Sequence, residues 1–546
     1  MTNLQAQKKM KKLNYKTLLT GLMPALILAS CSTTKHLAEG EVLYVGTPTP
    51  KITNYEKSKT GESTLEEVMG AINVAPNNSF FGSPKSRWPF PFGLWIYNRF
   101  ERYDKGIGKW IFNKLAADPV YISTVNPDTR SKVATNLLKD YGYFNGNVTY
   151  TVDTLKNPKK AKLNYTVNFG HGYLLDSVMY AGFDARCDSL IQANKDETML
   201  HKDDPFNVNT LNQERERLVE LFKNNGYYFY RSEFITFLAD TIMKPGYVNL
   251  KIAQQPNVPK NALRTYHIGN TTVNLIGQNG EQPTDSIKFR HFQVNYAGKK
   301  PGVRFGVLRR RFLYRNGEIF SQQKQNYSQQ ALSRLGIFKF NEFRYNPKGD
   351  TDTLDITINA MFDLPYDSEL ELNVKTKSTK QTGPGAVFKL SKKNFKRMGA
   401  SLNLELNGSY EWQTSSTVDG ESSVMNSYEL GAALSLNFPR LVLPWQQNRM
   451  NAFRFPSQTD FKIYASQVNR ARYFKMLSFG GEVTYNFQRR RGLKHTVTPV
   501  HLAFNMLQRR TAEFNAIASQ NPMLFHSLDD QFIPSFSYTL TYDNTY

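Results

Sequence analysis

The chain has 546 residues, enough for several domains that each bury a core. Aromatic residues make up 13% of it while mean hydropathy is only −0.51, and past the N-terminus no run of about 18 apolar residues occurs, which excludes membrane-spanning helices. The formal charge of +23 suits nucleic acid or an anionic membrane surface, but no nucleic-acid motif accompanies it, and the two cysteines, Cys31 and Cys187, exclude a disulfide framework.

Lys8, Lys9, Lys11, Lys12 and Lys16 precede a short apolar run over 18–28, too short to span and flanked like the core of a secretory signal. The run ends in Leu28-Ala29-Ser30-Cys31, which resembles a bacterial lipobox. The alternative is a chance cysteine at the end of a plain signal peptide. The resemblance implies a signal peptide over 1–30 and lipidation of Cys31 by acyl chains such as palmitate. Each buried methylene of such a chain contributes about 0.8 kcal/mol to membrane anchoring. Ser32 in place of an acidic residue resembles the sorting signal for release to the outer membrane, with the mature N-terminus facing the periplasm. Cys187 reads as an inert small residue.

A cassette then occurs three times: an amphipathic helix, a closing glycine, an aromatic or apolar residue, and a strand pair. The helices carry Val133, Leu137, Leu138 and Tyr141 before Gly142; Leu218, Leu221 and Phe222 before Gly226; and Ala331, Leu332 and Leu335 before Gly336. Glycine suits each helix end because a left-handed residue costs it least. The expected units are 31–170, 171–255 and 260–362, with Ser321 as a helix N-cap in the third. The first unit reads as β-α-α-β-β with one helix truncated or inserted. Its interruption over 80–112 carries Trp88, Phe90, Phe92, Trp95, Tyr103 and Trp110. That segment is either a hydrophobic elaboration packed on the first unit or a lipid-interface segment beside the Cys31 anchor.

From 366 to 546 the apolar period becomes two. Leu402, Leu404, Leu406, Gly408 and Tyr410 alternate with Ser401, Asn403, Glu405, Asn407 and Ser409, and similar runs follow around Leu434, Phe479 and Phe536. A soluble sandwich gives the same alternation, but runs this long with tyrosines near their ends fit a lipid-facing barrel of about eight strands. These are expected near 367–377, 384–392, 400–413, 426–438, 460–469, 473–487, 493–507 and 531–543. With the first strand running outward, Arg489-Arg490-Arg491 falls in a periplasmic turn, where arginine reaches lipid phosphate. The connection 508–530 reads as a long outer loop, and 439–459 as a wedge against the α+β row.

The triplicate cassette resembles POTRA domains, the periplasmic modules of the BamA/TamA outer-membrane assembly superfamily. Asn394-Phe395 through Gly399-Ala400-Ser401 resembles a hairpin motif of the superfamily's barrel, and Phe438-Pro439-Arg440 with Leu443-Pro444 resembles its TamA-like lipoprotein branch, TamL. The resemblance implies α+β POTRA repeats followed by an antiparallel transmembrane β-barrel. The family barrel has sixteen strands and a late Arg-Gly-Phe/Tyr loop; here only Arg491-Gly492-Leu493 occurs. The expectation is therefore half a barrel in a truncated chain, with a closed eight-stranded barrel as the alternative. The implied partners are unfolded outer-membrane or secreted client proteins, membrane lipids and an elongated TamB-like periplasmic protein. Nucleic acid is not expected. The implied function is protein assembly or translocation without ATP; a passive pore or phospholipid-transfer conduit is the alternative.

No cofactor, metal site or catalytic residue is expected. His495 and His501 read as sharing a strand face without a carboxylate or thiol at ligand spacing. The glycines around His171 and Lys109 lack phosphate-loop spacing, and no nucleophile elbow occurs.

Overall fold

The computed structural model describes residues 34, 37–80, 82–376, 381–413, 427–443, 455–470, 473–490, 492–520 and 529–545. Cys31 and the signal segment lie outside the described residues, as do Pro444 and Arg491. The chain forms two compact units: one holds the described residues up to Val219 together with Arg231–Val258, the other Glu220–Tyr230 and the chain from Pro259.

The first unit contains two sheets. Strands β1 (Leu43–Tyr44) and β2 (Lys51–Thr53) precede helix α1 (Lys59–Ile72). Ser58 caps α1 by accepting the Gly61 amide at 3.0 Å. A hairpin of β3 (Ser79–Phe80) and β4 (Ser83–Arg87) follows, then α2 (Phe92–Phe100), α3 (Gly106–Leu115), α4 (Ile122–Val125), α5 (Pro127–Asp140), β5 (Asn147–Thr154) and β6 (Lys160–Asn168). β6 is the sheet's centre, parallel to β1 and β2 and antiparallel to β5. Its alternate residues Ala161, Leu163, Tyr165 and Val167 are buried, and the last three join Val68, Ile72, Ala134 and Leu138 from α1 and α5 in one core.

The aromatic interruption is thus a hairpin and two helices, and it is only partly packed. Leu94 and Ile96 are buried, whereas Trp88, Phe90, Phe92, Tyr103, Ile107 and Trp110 are exposed. The region between α1 and β5 thus holds more elements than the expected β-α-α-β-β order, and Pro89 and Pro91 separate β4 from α2.

The second sheet has order β7-β9-β8, from β7 (Leu174–Ala181), β8 (Ile235–Asp240) and β9 (Tyr247–Gln254). Between β7 and β8 run α6 (Ala185–Ala193) and α7 (Val208–Asn224), and the boundary between the two units falls within α7. Cys187 on α6 is a buried thiol.

The second unit opens with a five-stranded sheet of order β11-β12-β10-β14-β13. Its strands are β10 (His267–Ile276), β11 (Asp285–Phe289), β12 (Phe292–Tyr296), β13 (Phe338–Pro347) and β14 (Thr353–Phe362). Helices α8 (Phe305–Arg309) and α9 (Gln322–Ser333) lie in the β12–β13 connection. Ser321 caps α9 through the Lys324 amide. Val273, Leu275, Leu308, Leu332, Ile356 and Ile358 anchor the core. The pair β11–β12 goes beyond the expected strand pair; it turns at Arg290 and His291, with Arg290 left-handed.

An eight-stranded antiparallel meander follows: β15 (Tyr366–Thr376), β16 (Gln381–Phe395), β17 (Ala400–Gln413), β18 (Ser427–Phe438), β19 (Ser457–Arg470), β20 (Phe474–Arg490), β21 (Leu493–Arg510) and β22 (Gln531–Tyr542). The protein is therefore an α+β region followed by a large antiparallel sheet. No helix among the described residues is long and apolar enough to cross a membrane. Among the described residues β15 pairs only with β16 and β22 only with β21. The expected loop over 508–530 contains a helix, α10 (Ala512–Gln520).

Candidate functional site

Residues directly opposite in neighbouring strands share a face. One rung of the meander runs Leu370, Phe388, Leu406, Ala432, Ala465, Phe479, Phe504 and Phe532, apolar on every strand. The adjacent rung runs Glu371, Val387, Asn407, Gly431, Ser466, Ser478, Asn505 and Gln531, almost wholly polar or small. The register thus sorts the alternation of each strand into one continuous apolar face and one polar face. The apolar face is open to its surroundings: Leu372 is 76% exposed, and Leu370, Leu430, Ile463 and Phe536 are exposed with it. An exposed apolar surface of this extent requires a nonaqueous neighbour.

The face assignment corrects one expectation. His495 and His501 lie on opposite faces, because a bulge in β21 between Thr498 and His501 inserts one residue and reverses the alternation. Pro499, which has no amide to donate, sits in that bulge. His495 stacks on Phe487 and approaches the Tyr538 hydroxyl at 2.9 Å. His501 approaches Ser535 and Tyr464 among the polar residues.

The end of the sheet where β15 begins is held to the five-stranded α+β sheet by the β16–β17 turn. Asn394, Lys396, Arg397 and Gly399 all have positive φ, a run of left-handed residues that needs support from outside the turn. Asn394 supplies part of it: its amide donates to the Gly302 carbonyl at 2.9 Å, and its Oδ1 accepts the Gly399 amide at 3.1 Å. Arg304 donates its amide to the Arg397 carbonyl at 3.0 Å. A Cβ on Gly399 would meet Leu335 and Val307 side chains at 3.1 Å, so a larger residue would have to push them aside while holding a left-handed backbone. Phe395 pairs with Ala400 at the close of the hairpin. Lys393 forms an ion pair with Asp363 at 2.7 Å and holds that carboxyl below the usual carboxylate range. Asn394→Ala should cost about 1–2 kcal/mol, since two hydrogen bonds are lost and a non-glycine residue stays left-handed. Faster hydrogen exchange in 393–400 with unchanged exchange in β18 is the expected readout.

Asn394, Phe395 and Gly399 therefore meet in one turn, whereas Gly142, Gly226 and Gly336 close three separate helices and form no common site. Their φ values are 84°, 103° and 64°. Asp363, Gly302 and Arg304 were not singled out in the sequence; the Lys392-Lys393 pair and Asp363 were visible signals, but only register brings them together.

A second feature at this end is a cavity of about 420 Å3 lined by Arg310, Arg311, Arg334, Arg440 and Lys494 with apolar walls including Val307 and Phe487. Arg311 Nη2 donates to the Pro439 carbonyl at 2.7 Å, so the start of the long 439–459 connection does meet the α+β sheet's elements. Burial, with Arg440, Arg310 and Arg334 nearby, pushes the Arg311 guanidinium down to about 10.

No family model matches the sequence, and no curated protein matches it. Matches among solved structures include BamA from Haemophilus ducreyi lacking POTRA domains 1–3, 16% identical with a TM-score of 0.40, over 68% of this chain and 60% of that one. POTRA3–5 of Haemophilus influenzae BamA is 15% identical with a TM-score of 0.30, over 60% of this chain and 99% of that one. CdiB from Acinetobacter baumannii is 10% identical with a TM-score of 0.24, over 68% of this chain and 65% of that one. The chain thus spans about 60% of the length of the first of these structures.

Proposed function

We propose that this chain is an outer-membrane assembly factor of a Gram-negative bacterium. It receives unfolded outer-membrane or secreted client polypeptide on periplasmic α+β units and guides it into or across the membrane without ATP. The observation that carries the reading is the pair of rungs: eight strands share one rung that is apolar on every strand, on a largely apolar and exposed face, which water does not tolerate and lipid does. The strands run from 11 to 18 residues, enough to cross a bilayer obliquely. The residues in each cassette resemble POTRA domains, and the α+β sheets have edges at β5, β8, β11 and β13 that offer backbone groups to an extended peptide. β15, which pairs only with β16 among the described residues, begins at the turn-supported junction in the same unit as the β11 and β13 edges, which suits a strand passed from those edges to β15. Cys31 would be the lipid anchor, and an elongated TamB-like protein a periplasmic partner, both by resemblance. The reading invokes no catalytic chemistry and no cofactor.

The test is site-specific photocrosslinking in cells. A photoreactive residue at Glu371 or Asn373 on β15 should capture an arrested client, and one at Ser435 inside the sheet should not. Equal capture at all three positions, or none, defeats edge pairing. Depleting the protein then separates assembly from its alternative. Loss of several barrel proteins supports assembly, whereas intact barrel proteins with altered lipid asymmetry transfer the reading to a phospholipid conduit.

A further inference from the structure

Strand pairing makes no use of the arginine-lined cavity. Arg310 and Arg311 follow α8, Arg334 closes α9, Arg440 follows β18, and Lys494 lies at the start of β21. Folding thus converges five cations from distant parts of the sequence on one space of about 420 Å3. Among the described residues no carboxylate forms an ion pair with any of them. The adjoining chain supplies none either: between Phe438 and Asp460 the sequence has Arg440, Arg449 and Arg454 but no Asp or Glu. Asp460, behind the lining residues Gln458 and Asn486, takes their side-chain amides at 2.6 and 3.1 Å.

Arg311 is the sharpest sign of an absent counterpart. Its Nη2 is satisfied by Pro439, yet its Nε is buried without an acceptor among the described residues. An unpaired buried donor is costly, more so on a charged group surrounded by like charges. A bound anion would relieve both penalties.

We propose that this cavity binds a phosphate group. Its tetrahedral oxygens can accept from Arg311 Nε while Arg310, Arg334 and Arg440 neutralise its charge, a geometry for which forked guanidinium groups are suited. The chemistry has two sources, the headgroup of an anionic phospholipid and free phosphate. The lipid source fits the location: Phe487, at this end of the apolar face, lines the cavity, and Phe438 immediately precedes the lining residue Pro439. It rests on the membrane reading; the free-phosphate source does not.

The test uses the full chain in neutral maltoside micelles. Inorganic phosphate binding is measured by calorimetry, and phosphatidylglycerol retention by native mass spectrometry. Arg311→Gln removes the buried donor. Arg310→Gln, at an exposed position, serves where the first variant unsettles the junction. Each should weaken binding about tenfold or more, the effect of one lost charge-assisted bond. Phosphatidylglycerol retained by the wild type and lost in the variants supports the lipid source. Tight inorganic phosphate that displaces the lipid supports the free anion. Binding equal in wild type and both variants, or absent for both probes, overturns the proposal. Protection of β15–β22 from protease in phosphatidylcholine vesicles is measured in parallel. Failure there sinks the membrane reading while leaving the phosphate measurement to stand or fall by itself.

Discussion

Leu406→Arg should lower the stability of the chain in phosphatidylcholine vesicles by about 2–4 kcal/mol, the cost of an arginine at mid-depth on a lipid-facing strand. Leu406 sits in the middle of β17, opposite Phe388 and Ala432, within the rung that is apolar on all eight strands. Its side chain is already exposed, so the substitution creates no cavity and breaks no contact network; the penalty comes from the surrounding medium. Ser466→Arg is the matched comparison. Ser466 lies one rung away, between Gly431 and Ser478, on the polar face. It should change stability by less than about 1 kcal/mol, because its charge meets polar groups and water. Denaturant unfolding from vesicles, read by tryptophan emission, measures both. Equal losses would mean that the two faces meet the same medium, and the membrane reading would then give way to a soluble sandwich.

The pair of variants also shows what was legible in the sequence. A period of two is a local property, and it fixed the strands of the meander to within a few residues: the run expected at 400–413 is β17, and the one near 460–469 is β19 at 457–470. Fold class follows from the same signal, since alternation on one side of the chain and helical spacing on the other cannot belong to one uniform architecture. Register was beyond reach. Leu406 and Phe479 belong to one rung only because four strands pair in sequence without slipping between them, which no single strand encodes. The β21 bulge is the converse case. Counting by twos from His495 gives His501 the same face, and a single inserted residue near Pro499 reverses it. The proline was the available hint.

The candidate junction divides similarly. Asn394 and Gly399 carried a resemblance and also a local physical reason, since both residue types tolerate left-handed backbone. Of their partners, Gly302 lies in a loop without a motif, and Leu335 was legible only as an apolar residue of the third cassette, not as a neighbour of Gly399. The cationic cavity was less legible still. The basic residues were plain in the composition, but long basic side chains are usually solvated, and their convergence depends on four separate segments folding together.

A second large effect is expected at Glu214→Gln, in the first compact unit. Glu214 on α7 is 0% exposed, and its carboxylate accepts from the Tyr180 hydroxyl at 2.7 Å, from Arg217 Nε and Nη2 at 2.8 and 2.7 Å, and from the Met199 amide at 3.1 Å. Burial alone would raise this carboxyl; the Arg217, Tyr180 and Met199 donors outweigh burial and hold it below the usual range. Burial and the Glu214 carboxylate push the Tyr180 hydroxyl up to about 12, so it remains the donor. Gln keeps one acceptor but turns an amide donor toward donors, and it leaves the nearly buried Arg217 uncompensated. The expected loss is about 3–5 kcal/mol, as for other buried pairs deprived of one partner. The double variant Glu214→Leu, Arg217→Met removes both charges and should recover most of it. The sign with pH follows from the lowered carboxyl: its stabilisation is complete above the unfolded value of about 4.3 and is lost as pH falls through the folded value. Hydrogen exchange in β7 and β9 of the full chain should therefore accelerate on acidification in the wild type, whereas Glu214→Gln exchanges fast already at neutral pH and loses that acid-dependent step. An unchanged acid profile in the variant would show that the Glu214 carboxylate does not hold this sheet together.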